Sequence, residues 1–285
     1  MLKWDHKDNI LIVGLGLIGG SYARALKKQG YTVNAIDKDP DAIAYALEER
    51  IIDRGKTDAS LIQDADRIIL ALYPSLVTDW IRMHRGDFKS GSLLTDVTGI
   101  KSAIVYEIQK ILPEDAEFIA AHPMAGREVY GVRNSSEKIF TGANYIVVPT
   151  EKNTPDAVAW CRELGQILGF STISVLSPEE HDKMIAYVSQ LTHCIAVALM
   201  TCEDNEHLKD YTGDSFRDLT RIANINADMW TELFFMNREA LLEYMDGFID
   251  EMKTLRDMID RQDQAGLKAK MQLSSQRRGQ FDRKP

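Results

Sequence analysis

The segment NILIVGLGLIGGS, residues 9–21, decides the fold, because an apolar run leads directly into closely spaced glycines. Gly14, Gly16 and Gly19 follow the pattern G-x-G-x-x-G, and the next residues, SYARALKKQ, have a helical pattern. In a strand–turn–helix unit the first glycine permits the tight turn, the second lets the backbone approach a pyrophosphate, and the third brings helix and strand together. A purely structural turn is the alternative. The context favours a dinucleotide site at the helix N-terminus, formed by Gly14, Gly16, Leu17, Ile18 and Gly19.

The acidic residue that follows this turn indicates which dinucleotide is bound. Asp37 ends the run YTVNAID, about 20 residues beyond the glycines, where a carboxylate accepts hydrogen bonds from the adenosine ribose hydroxyls. The same carboxylate would repel a 2′-phosphate. We therefore expect NAD rather than NADP, although the neighbouring Lys38 softens the preference.

The rest of the N-terminal part alternates short β-rich runs with helical patterns, which predicts a doubly wound parallel sheet. The strand candidates are NILIVGLG, YTVNAID, RIILALY, SLLTD, EFIAAHP, NYIVVPT and STISVL. Asp39 as N-cap and Pro40 as the first helical residue predict the start of a helix over about 40–49. After the last of these the pattern becomes helical, beginning at SPEE, residues 177–180, which combines a serine N-cap, a first-turn proline and a capping-box glutamate. The sequence thus predicts a Rossmann domain over residues 1–175 and an all-helical domain over 176–285.

The composition is that of a globular enzyme, with 45% hydrophobic and 27% charged residues. A formal net charge of -9 argues against nucleic acid or an anionic membrane as partner. The three cysteines lack metal-ligand spacing and are odd in number, so we predict neither a metal site nor a disulfide framework. The charged start MLKWDHKDN is unlike a signal peptide, and no window suggested a membrane helix, so a cytoplasmic protein is expected.

The C-terminal helices carry more apolar residues than a single buried face needs. Met184, Val188, Leu191 and Ile195 recur at three- and four-residue steps, which indicates one apolar face. The segment 231–259, TELFFMNREALLEYMDGFIDEMKTLRDMI, is apolar on more than one side. Burial between subunits accounts for this excess, so we predict a homodimer formed through these helices. A self-contained helical bundle is the alternative.

One histidine stands out as a candidate catalytic group. His122 follows the run EFIAA and is expected at the carboxyl side of the sheet, where open α/β folds bind ligands. Because the pKa of histidine lies near neutral pH, His122 can accept a hydroxyl proton while hydride leaves the same carbon. A histidine that only makes a structural hydrogen bond at the strand end is the alternative.

Five segments in order resemble the prephenate dehydrogenase family, including its arogenate-using relatives. They are GLGLIGGS at 14–21, DVTGIK at 96–101, HPMAGRE at 122–128, HDKMIAYVSQLTH at 181–193 and FRDLTRIA at 216–223. The resemblance implies NAD-dependent oxidative decarboxylation of prephenate to 4-hydroxyphenylpyruvate, on the route to tyrosine. It also implies that His122 is the general base for the ring hydroxyl.

The resemblance assigns further roles residue by residue. Arg221 matches the arginine that holds a substrate carboxylate, with a surface pair to Asp218 as the alternative. His193 matches a histidine near the substrate side chain, and a buried structural histidine is the alternative. Asp96 matches a position expected beside the cofactor. The other positions that match residues lining or bracing the site are Glu128, His181, Asp218 and Trp230.

The chain departs from the family pattern at three places. Gly99 stands where many relatives have a serine that helps to hold the substrate hydroxyl, and Thr98 is the candidate to replace it. Gln190 and Thr192 stand where relatives often have histidine and proline. These differences bear on substrate choice and control.

Three other functions remain open on the sequence alone. Arogenate dehydrogenase performs the same reaction on a substrate with an amino group in place of the side-chain keto group. A hydroxyacid-type dehydrogenase would need a catalytic lysine after the sheet, for which Lys183 is the candidate. A sensor that binds NAD without turnover would have no need of a base at His122.

Overall fold

The structure, a computed structural model, describes residues 4–281; the first three residues of the charged start and the last four of the chain lie outside it. The strands within this range are β1 (Asn9–Val13), β2 (Thr32–Ile36), β3 (Arg54–Lys56), β4 (Arg67–Leu70), β5 (Leu93–Asp96), β6 (Glu117–Phe118), β7 (Ala120–Met124), β8 (Asn144–Val148) and β9 (Thr172–Val175). The first helices are α1 (Leu17–Lys28), α2 (Pro40–Glu48), α3 (Pro74–His84), α4 (Ser102–Ile111) and α5 (Pro155–Leu168). They are followed by α6 (Pro178–Ile185), α7 (Leu191–Thr201), α8 (Leu208–Tyr211), α9 (Asp214–Thr220), α10 (Ala227–Met236), α11 (Arg238–Asp260) and α12 (Gln264–Arg278).

Strands β1 to β6 form a parallel sheet in the order β3-β2-β1-β4-β5-β6, which confirms the predicted Rossmann-type fold. One core cluster includes residues of α1 and α5, and a second includes residues of α3 and α4. Because both faces of the sheet are covered, β1 is an almost purely apolar run, with Ile10, Leu11, Ile12 and Val13 at most 2% exposed. Charged β3 is an edge strand that the hydrophobic pattern did not predict.

The last three strands correct the expectation of one continuous parallel sheet. The predicted strand EFIAAHP breaks at Ile119, so that β6 pairs with β5 while β7 belongs to a second sheet, β7-β8-β9. In that sheet β7 is antiparallel to β8, and β8 is parallel to β9. His122 is consequently the central residue of a strand rather than part of a loop after one.

The predicted helix boundaries are confirmed where capping chemistry defined them. The Asp39 side chain accepts a hydrogen bond from the Asp41 backbone at the start of α2, and Pro40 is the first helical residue. Ser177 and Glu180 form the predicted reciprocal capping box at the start of α6. The change from mixed to helical structure therefore falls between β9 and α6.

Helices α6 and α7 are continuous through a π-helical turn, Ala186–Gln190. The extra residue of such a turn rotates the faces of the two helices relative to each other. Met184 and Val188 are exposed, whereas Leu191 is buried, so the predicted apolar face is split. Contrary to expectation, Pro178–Thr201 is long and apolar enough to cross a membrane by length and composition, a test that helices inside a globular fold also pass.

The chain divides into two compact units, Met1–Arg238 and Glu239–Pro285. The first contains the whole of both sheets and helices α1 to α10. Within the second, Lys270 of α12 forms an ion pair with Glu251 of α11, with Nζ and Oε2 2.5 Å apart. Asp263 caps the N-terminus of α12 through the Gly266 backbone.

Candidate active site

A cavity of about 590 Å³ lies within the first unit, between the glycine turn, strand β7 and helices α7 and α10. This volume is in the range of sites for small molecules. Among the residues predicted for the site, those that line it are Gly16, Leu17, Ile18, Gly19, Thr98, Gly99, His122, Glu128, His193, Arg221 and Trp230. Those not on its wall are Gly14, Asp37, Asp96, His181 and Asp218.

The glycine turn has the geometry that its pattern requires. Gly14 adopts a φ of 97°, and a Cβ there would overlap the carbonyl oxygen of Ala71. A Cβ on Gly19 would overlap the carbonyl oxygen of Gly14. A Cβ on Gly16 would meet no atom within 4 Å, and Gly16 immediately precedes the N-terminus of α1. Open space in front of a helix N-terminus suits the pyrophosphate of a dinucleotide.

The carboxylate of Asp37 lies directly beside this turn. Its Oδ2 accepts a hydrogen bond from the Leu15 backbone at 2.5 Å, and its Oδ1 accepts one from the Asp39 backbone at 2.8 Å. Asp37 therefore ties the glycine turn to the start of α2. The arrangement places a half-buried negative charge at the end of β2, next to the turn.

Three side chains form a hydrogen-bonded chain that ends at the cavity. Nδ1 of His122 lies 2.9 Å from Nε2 of His181, and Nδ1 of His181 lies 2.7 Å from Oδ1 of Asp182. A carboxylate can only accept, so Nδ1 of His181 carries a hydrogen and its Nε2 accepts from Nδ1 of His122. In neutral His122 the lone pair is therefore on Nε2, which bonds to no other residue in the described part of the chain.

The protonation of this chain follows from its burial. Burial of the His122 ring lowers its pKa well below 6.5, and the nearby His181 and Lys101 lower it further. Burial also lowers the pKa of His181, against the opposing effect of Asp182. Burial alone would raise the pKa of Asp182, but hydrogen bonds from His181 and Ser102 bring it below its ordinary value. His122 is thus neutral at neutral pH, as a general base must be.

Asp96, which was expected beside the cofactor, does not line the cavity. The side chain is fully buried, and Oδ2 lies 2.6 Å from Nζ of Lys101, itself fully buried. Oδ1 accepts a hydrogen bond from the Ala121 backbone at 3.1 Å, and Oδ2 also accepts from the backbone and hydroxyl of Thr98. All of these contacts are internal, so Asp96 has a structural position.

The Thr98 hydroxyl is also engaged inside the protein. It contacts Asp96, lies 2.9 Å from the carbonyl oxygen of Ile100 and accepts a hydrogen bond from Lys101 at 3.1 Å. Thr98 contributes to the cavity wall, but its hydroxyl is committed to these partners. Thr98 therefore has no free hydroxyl with which to replace the family serine, contrary to the prediction.

Gly99 has room for the side chain that many relatives carry. A Cβ on Gly99 would lie 3.9 Å from Cε1 of His122 and 3.4 Å from Cδ2 of Leu233. These are ordinary van der Waals distances, so a Cβ at position 99 fits without displacing its neighbours. Position 99 faces the catalytic candidate directly.

Arg221 forms an ion pair across the cavity mouth with Glu128, through its Nη1 and the Oε1 atom of Glu128. The arginine does not take the alternative partner Asp218, which is exposed on α9 and away from the cavity wall. Both paired side chains remain accessible to water, so the pair is weak enough for another anion to compete for the guanidinium. Arg127, which the sequence analysis did not single out, also lines the cavity.

His193 and Trp230 meet on another wall of the cavity. Their ring centroids are 3.6 Å apart with an interplanar angle of 29°. Nδ1 of His193 lies 2.8 Å from the carbonyl oxygen of Ser189, so Nδ1 carries the hydrogen and Nε2 is the acceptor of the neutral ring. Burial lowers the pKa of His193. This wall combines an aromatic face with one hydrogen-bond acceptor.

Gln190, at a position where relatives often have histidine, lines the cavity and is held by two hydrogen bonds. It donates to the carbonyl oxygen of Leu233 at 2.9 Å and accepts from Asn237 at 2.8 Å. Asn237 also donates to the carbonyl oxygen of Asp182. Sequence reasoning missed Asn237, Asp182 and Lys101 as site residues, although the last two stand inside the quoted motifs. A polar residue within an otherwise apolar segment was the available signal.

The cavity thus combines a glycine turn, a neutral histidine and two arginines. Comparison with known proteins identifies the family of the chain. The family models "Prephenate dehydrogenase, nucleotide-binding domain" and "Prephenate dehydrogenase, dimerization domain" match residues 22–173 and 177–273. The chain belongs to the prephenate dehydrogenase family. The first match begins after the glycine turn, so the assignment of a dinucleotide site to this turn rests on the geometry of the turn itself.

Individual relatives of the prephenate dehydrogenase family cover nearly the whole chain. Prephenate dehydrogenase of Bacillus subtilis is 33% identical over 272 residues, which are 92% of this chain and 72% of the relative. The crystal structure of prephenate dehydrogenase from A. aeolicus with hydroxyphenyl propionate and NAD+ has a TM-score of 0.89 at 28% identity, covering 96% of this chain and 98% of that one. Synechocystis arogenate dehydrogenase has a TM-score of 0.82 at 26% identity, covering 96% of this chain and 100% of that one.

These matches confirm the family that the five motifs predicted. They also bear on the hydroxyacid-type alternative, for which Lys183 was the catalytic candidate. Lys183 is exposed and is not among the residues that line the cavity. The position of Lys183 therefore argues against a hydroxyacid-type dehydrogenase.

Proposed function

We propose that the chain catalyses the NAD-dependent oxidative decarboxylation of prephenate to 4-hydroxyphenylpyruvate, with His122 as general base. In this reaction the carbinol carbon gives up a hydride while His122 takes the hydroxyl proton, which leaves a ring ketone. The bond to the ring carboxylate then breaks, carbon dioxide leaves, its electron pair makes the ring aromatic, and the proton returns from His122 to the oxygen to give the phenol. Aromatisation drives the step. The protein's part is to orient the substrate, hold its carboxylates and accept one proton at a defined atom.

The observation that carries this proposal is the chain His122–His181–Asp182. Asp182 fixes the hydrogen of His181 on Nδ1, and His181 in turn fixes the hydrogen of His122 on Nδ1. Nε2 of His122 is then the proton acceptor. The buried surroundings keep the ring neutral before the reaction, and Asp182 stabilises the chain once a proton has arrived.

The charge of the cavity supports a substrate with two carboxylates. The chain as a whole is acidic, yet Arg127 and Arg221 both line this cavity. A guanidinium binds a carboxylate through two parallel hydrogen bonds. We assign Arg221 to one carboxylate of prephenate, which displaces Glu128 from the guanidinium when it binds.

The residues around the glycine turn fit NAD. The space in front of Gly16 and the N-terminus of α1 would hold the pyrophosphate, with Leu17, Ile18 and Gly19 beside it. The carboxylate of Asp37 would accept hydrogen bonds from the adenosine ribose hydroxyls and would repel a 2′-phosphate. When bound, NAD supplies the acceptor for the hydride of the substrate.

Arogenate is the second candidate substrate, and His193 is the observation that favours it. Neutral His193 offers only an acceptor at Nε2. An acceptor suits the ammonium group of arogenate, whereas the keto oxygen of prephenate would need protonated His193. Prephenate remains the first candidate because the family models and the Bacillus subtilis relative carry its name.

The remaining proposals concern domains, assembly and location. We assign cofactor binding to residues 1–175 and substrate binding with homodimerisation to 176–285. The match to a dimerization domain supports this assignment, as do exposed apolar side chains on the helices, among them Phe235, Ile249, Met252 and Ile259. A cytoplasmic location agrees with the three unpaired cysteines.

An assay of the purified protein with each substrate and each cofactor tests the function. We expect NADH formation and release of carbon dioxide with prephenate and NAD, and a much lower rate with NADP. Turnover with arogenate alone would transfer the assignment to the second candidate. Absence of turnover with both substrates, in a protein that binds NAD, would overturn the enzymatic function in favour of a sensor.

A further inference from the structure

The strand that carries His122 is held at one edge by side chains instead of by another strand. On one side β7 pairs with β8, where Ala121 is opposite Val147. On the other side the N–H of Ala121 donates to Oδ1 of Asp96 at 3.1 Å, and its carbonyl oxygen accepts from Nζ of Lys101 at 2.6 Å. Both backbone groups of the residue before His122 are thus held by one ion pair.

This ion pair is fully removed from water. Nζ of Lys101 lies 2.6 Å from Oδ2 of Asp96, and neither side chain is exposed. The Lys101 ammonium has three acceptors in total, namely Asp96, the Thr98 hydroxyl and the Ala121 carbonyl oxygen, and so all three of its hydrogens are used. A buried ion pair adds little stability compared with apolar residues of similar size, so a positional role is the more informative explanation for it.

The same pair also fixes the cavity wall opposite His122. Asp96 accepts a hydrogen bond from the Thr98 backbone at 3.0 Å and another from the Thr98 hydroxyl. The adjacent Gly99 faces the His122 ring, since a Cβ there would lie 3.9 Å from Cε1 of His122. One ion pair therefore sets the separation between the ring and the wall that faces it.

A second tie connects Lys101 to the other end of the histidine chain. Oδ1 of Asp182 accepts hydrogen bonds from both the Lys101 backbone, at 2.8 Å, and the His181 ring, at 2.7 Å. The bonds run in a closed loop from Lys101 through Asp182, His181 and His122 to Ala121 and back to Lys101. Lys101 therefore holds the His122 ring by two routes. One runs through the backbone of Ala121, and the other runs through Asp182 and His181 to Nδ1 of His122.

We propose that Asp96 and Lys101 are positioning residues that fix the place of the His122 ring for proton transfer. The proposal rests on the function proposed above, in which His122 is the base. Neither residue lines the cavity, so their effect reaches the substrate only through His122 and the wall at Thr98 and Gly99. Catalysis is sensitive to such placement, and a shift of about 1 Å lowers a rate by roughly 10²-fold.

The variants Lys101→Met and Asp96→Asn test the proposal. Each removes one partner of the pair and is expected to lower kcat by about 10- to 100-fold, with the KM for prephenate and NAD within about threefold of the original. Because removing one partner leaves a buried charge unpaired, the double variant Asp96→Asn/Lys101→Met is measured as well. It removes both charges and still offers the Asn oxygen to the Ala121 N–H.

The decisive measurement repeats these variants in a His122→Asn background. If the pair acts through His122, the substitutions lower kcat of the original enzyme but leave the residual rate of His122→Asn unchanged. An equal fractional loss in both backgrounds, or an unchanged kcat in the original background, would overturn the proposal. Full activity of His122→Asn itself would instead refute the base, which keeps the two failures distinct.

A matched control separates positioning from loss of stability. Arg67 and Asp8 form another largely buried ion pair, with Nε and Oδ2 3.1 Å apart, away from the cavity. Arg67→Met should lower the melting temperature as Lys101→Met does, but should leave kcat unchanged. A fall in kcat with Arg67→Met equal to that with Lys101→Met would contradict a specific role for Lys101.

Discussion

Nδ1 of His122 donates a hydrogen bond to Nε2 of His181 over 2.9 Å, and this bond decides which nitrogen of His122 can accept a proton. His181 is fully buried and receives its own orientation from Asp182 at 2.7 Å. The ring that faces the cavity therefore has a fixed tautomer before substrate binds.

Two variants of His181 show whether this residue acts as a hydrogen-bond acceptor for His122 or only fills space. His181→Leu removes the acceptor and should lower kcat by about 10²-fold, because the His122 ring loses its fixed orientation. His181→Gln offers an oxygen near the position of Nε2 and should recover a large part of that loss. Steady-state kinetics on both variants checks this. Equal rates for the leucine and glutamine variants would contradict an orienting role for His181.

Substrate affinity should depend on Arg221. Arg221→Met removes a charge-assisted hydrogen bond, worth about 1.5–3 kcal/mol, and should raise the KM for prephenate by about ten- to a hundredfold. The KM for NAD should stay the same. Arg217→Met is the matched control, because Arg217 lies on α9, the helix that ends immediately before Arg221, and pairs with Asp214 on the surface. If both variants raise KM equally, Arg221 has no specific role.

The glycine at position 99 should accept a serine and gain from it. Because a Cβ at this position meets only ordinary van der Waals contacts, we expect Gly99→Ser to fold normally and to place its hydroxyl beside His122 and the substrate hydroxyl. We expect kcat/KM to rise by a few fold, as about one added hydrogen bond of 0.5–1.5 kcal/mol allows. Gly99→Ala adds the same Cβ without the hydroxyl and should give no gain. Identical kinetics for the two variants would exclude a contribution from the hydroxyl.

The acid limb of the pH profile should report the neutral state of His122. Burial and the neighbouring His181 and Lys101 lower the pKa of His122 well below 6.5. As the pH falls through that pKa, His122 gains a proton and can no longer accept one, so kcat/KM falls. The pH at which kcat/KM falls to half of its maximum should accordingly lie below 6.5. A midpoint above pH 6.5 for kcat/KM would conflict with a desolvated base.

The sequence predicted those parts of the fold that depend on local chemistry. The glycines at 14, 16 and 19, the Asp39–Pro40 helix start and the Ser177–Glu180 capping box each have a local cause, and each is found in the structure. The break of EFIAAHP into β6 and β7 has a distant cause. Just after the break, Asp96 and Lys101 take the place of a neighbouring strand for the backbone of Ala121.

The site shows the same division between local and distant causes. His122 and Arg221 were predicted for the cavity and line it, because their motifs mark them directly. Trp230, which was predicted from outside the five motifs, also lines it. The structural position of Asp96 could not be predicted from the sequence, since its partner Ala121 belongs to the other sheet. The π-helical turn at Ala186–Gln190 likewise broke an apolar periodicity that the residues alone suggested.

The central claim is that Nε2 of His122 accepts the hydroxyl proton, and turnover of His122→Asn tests it most directly. With saturating prephenate and NAD, kcat should fall by roughly 10²- to 10⁴-fold, while the dissociation constant for substrate changes little. Asparagine keeps a polar group near Nδ1 but offers no base. A His122→Asn variant that retains the original kcat would contradict the account.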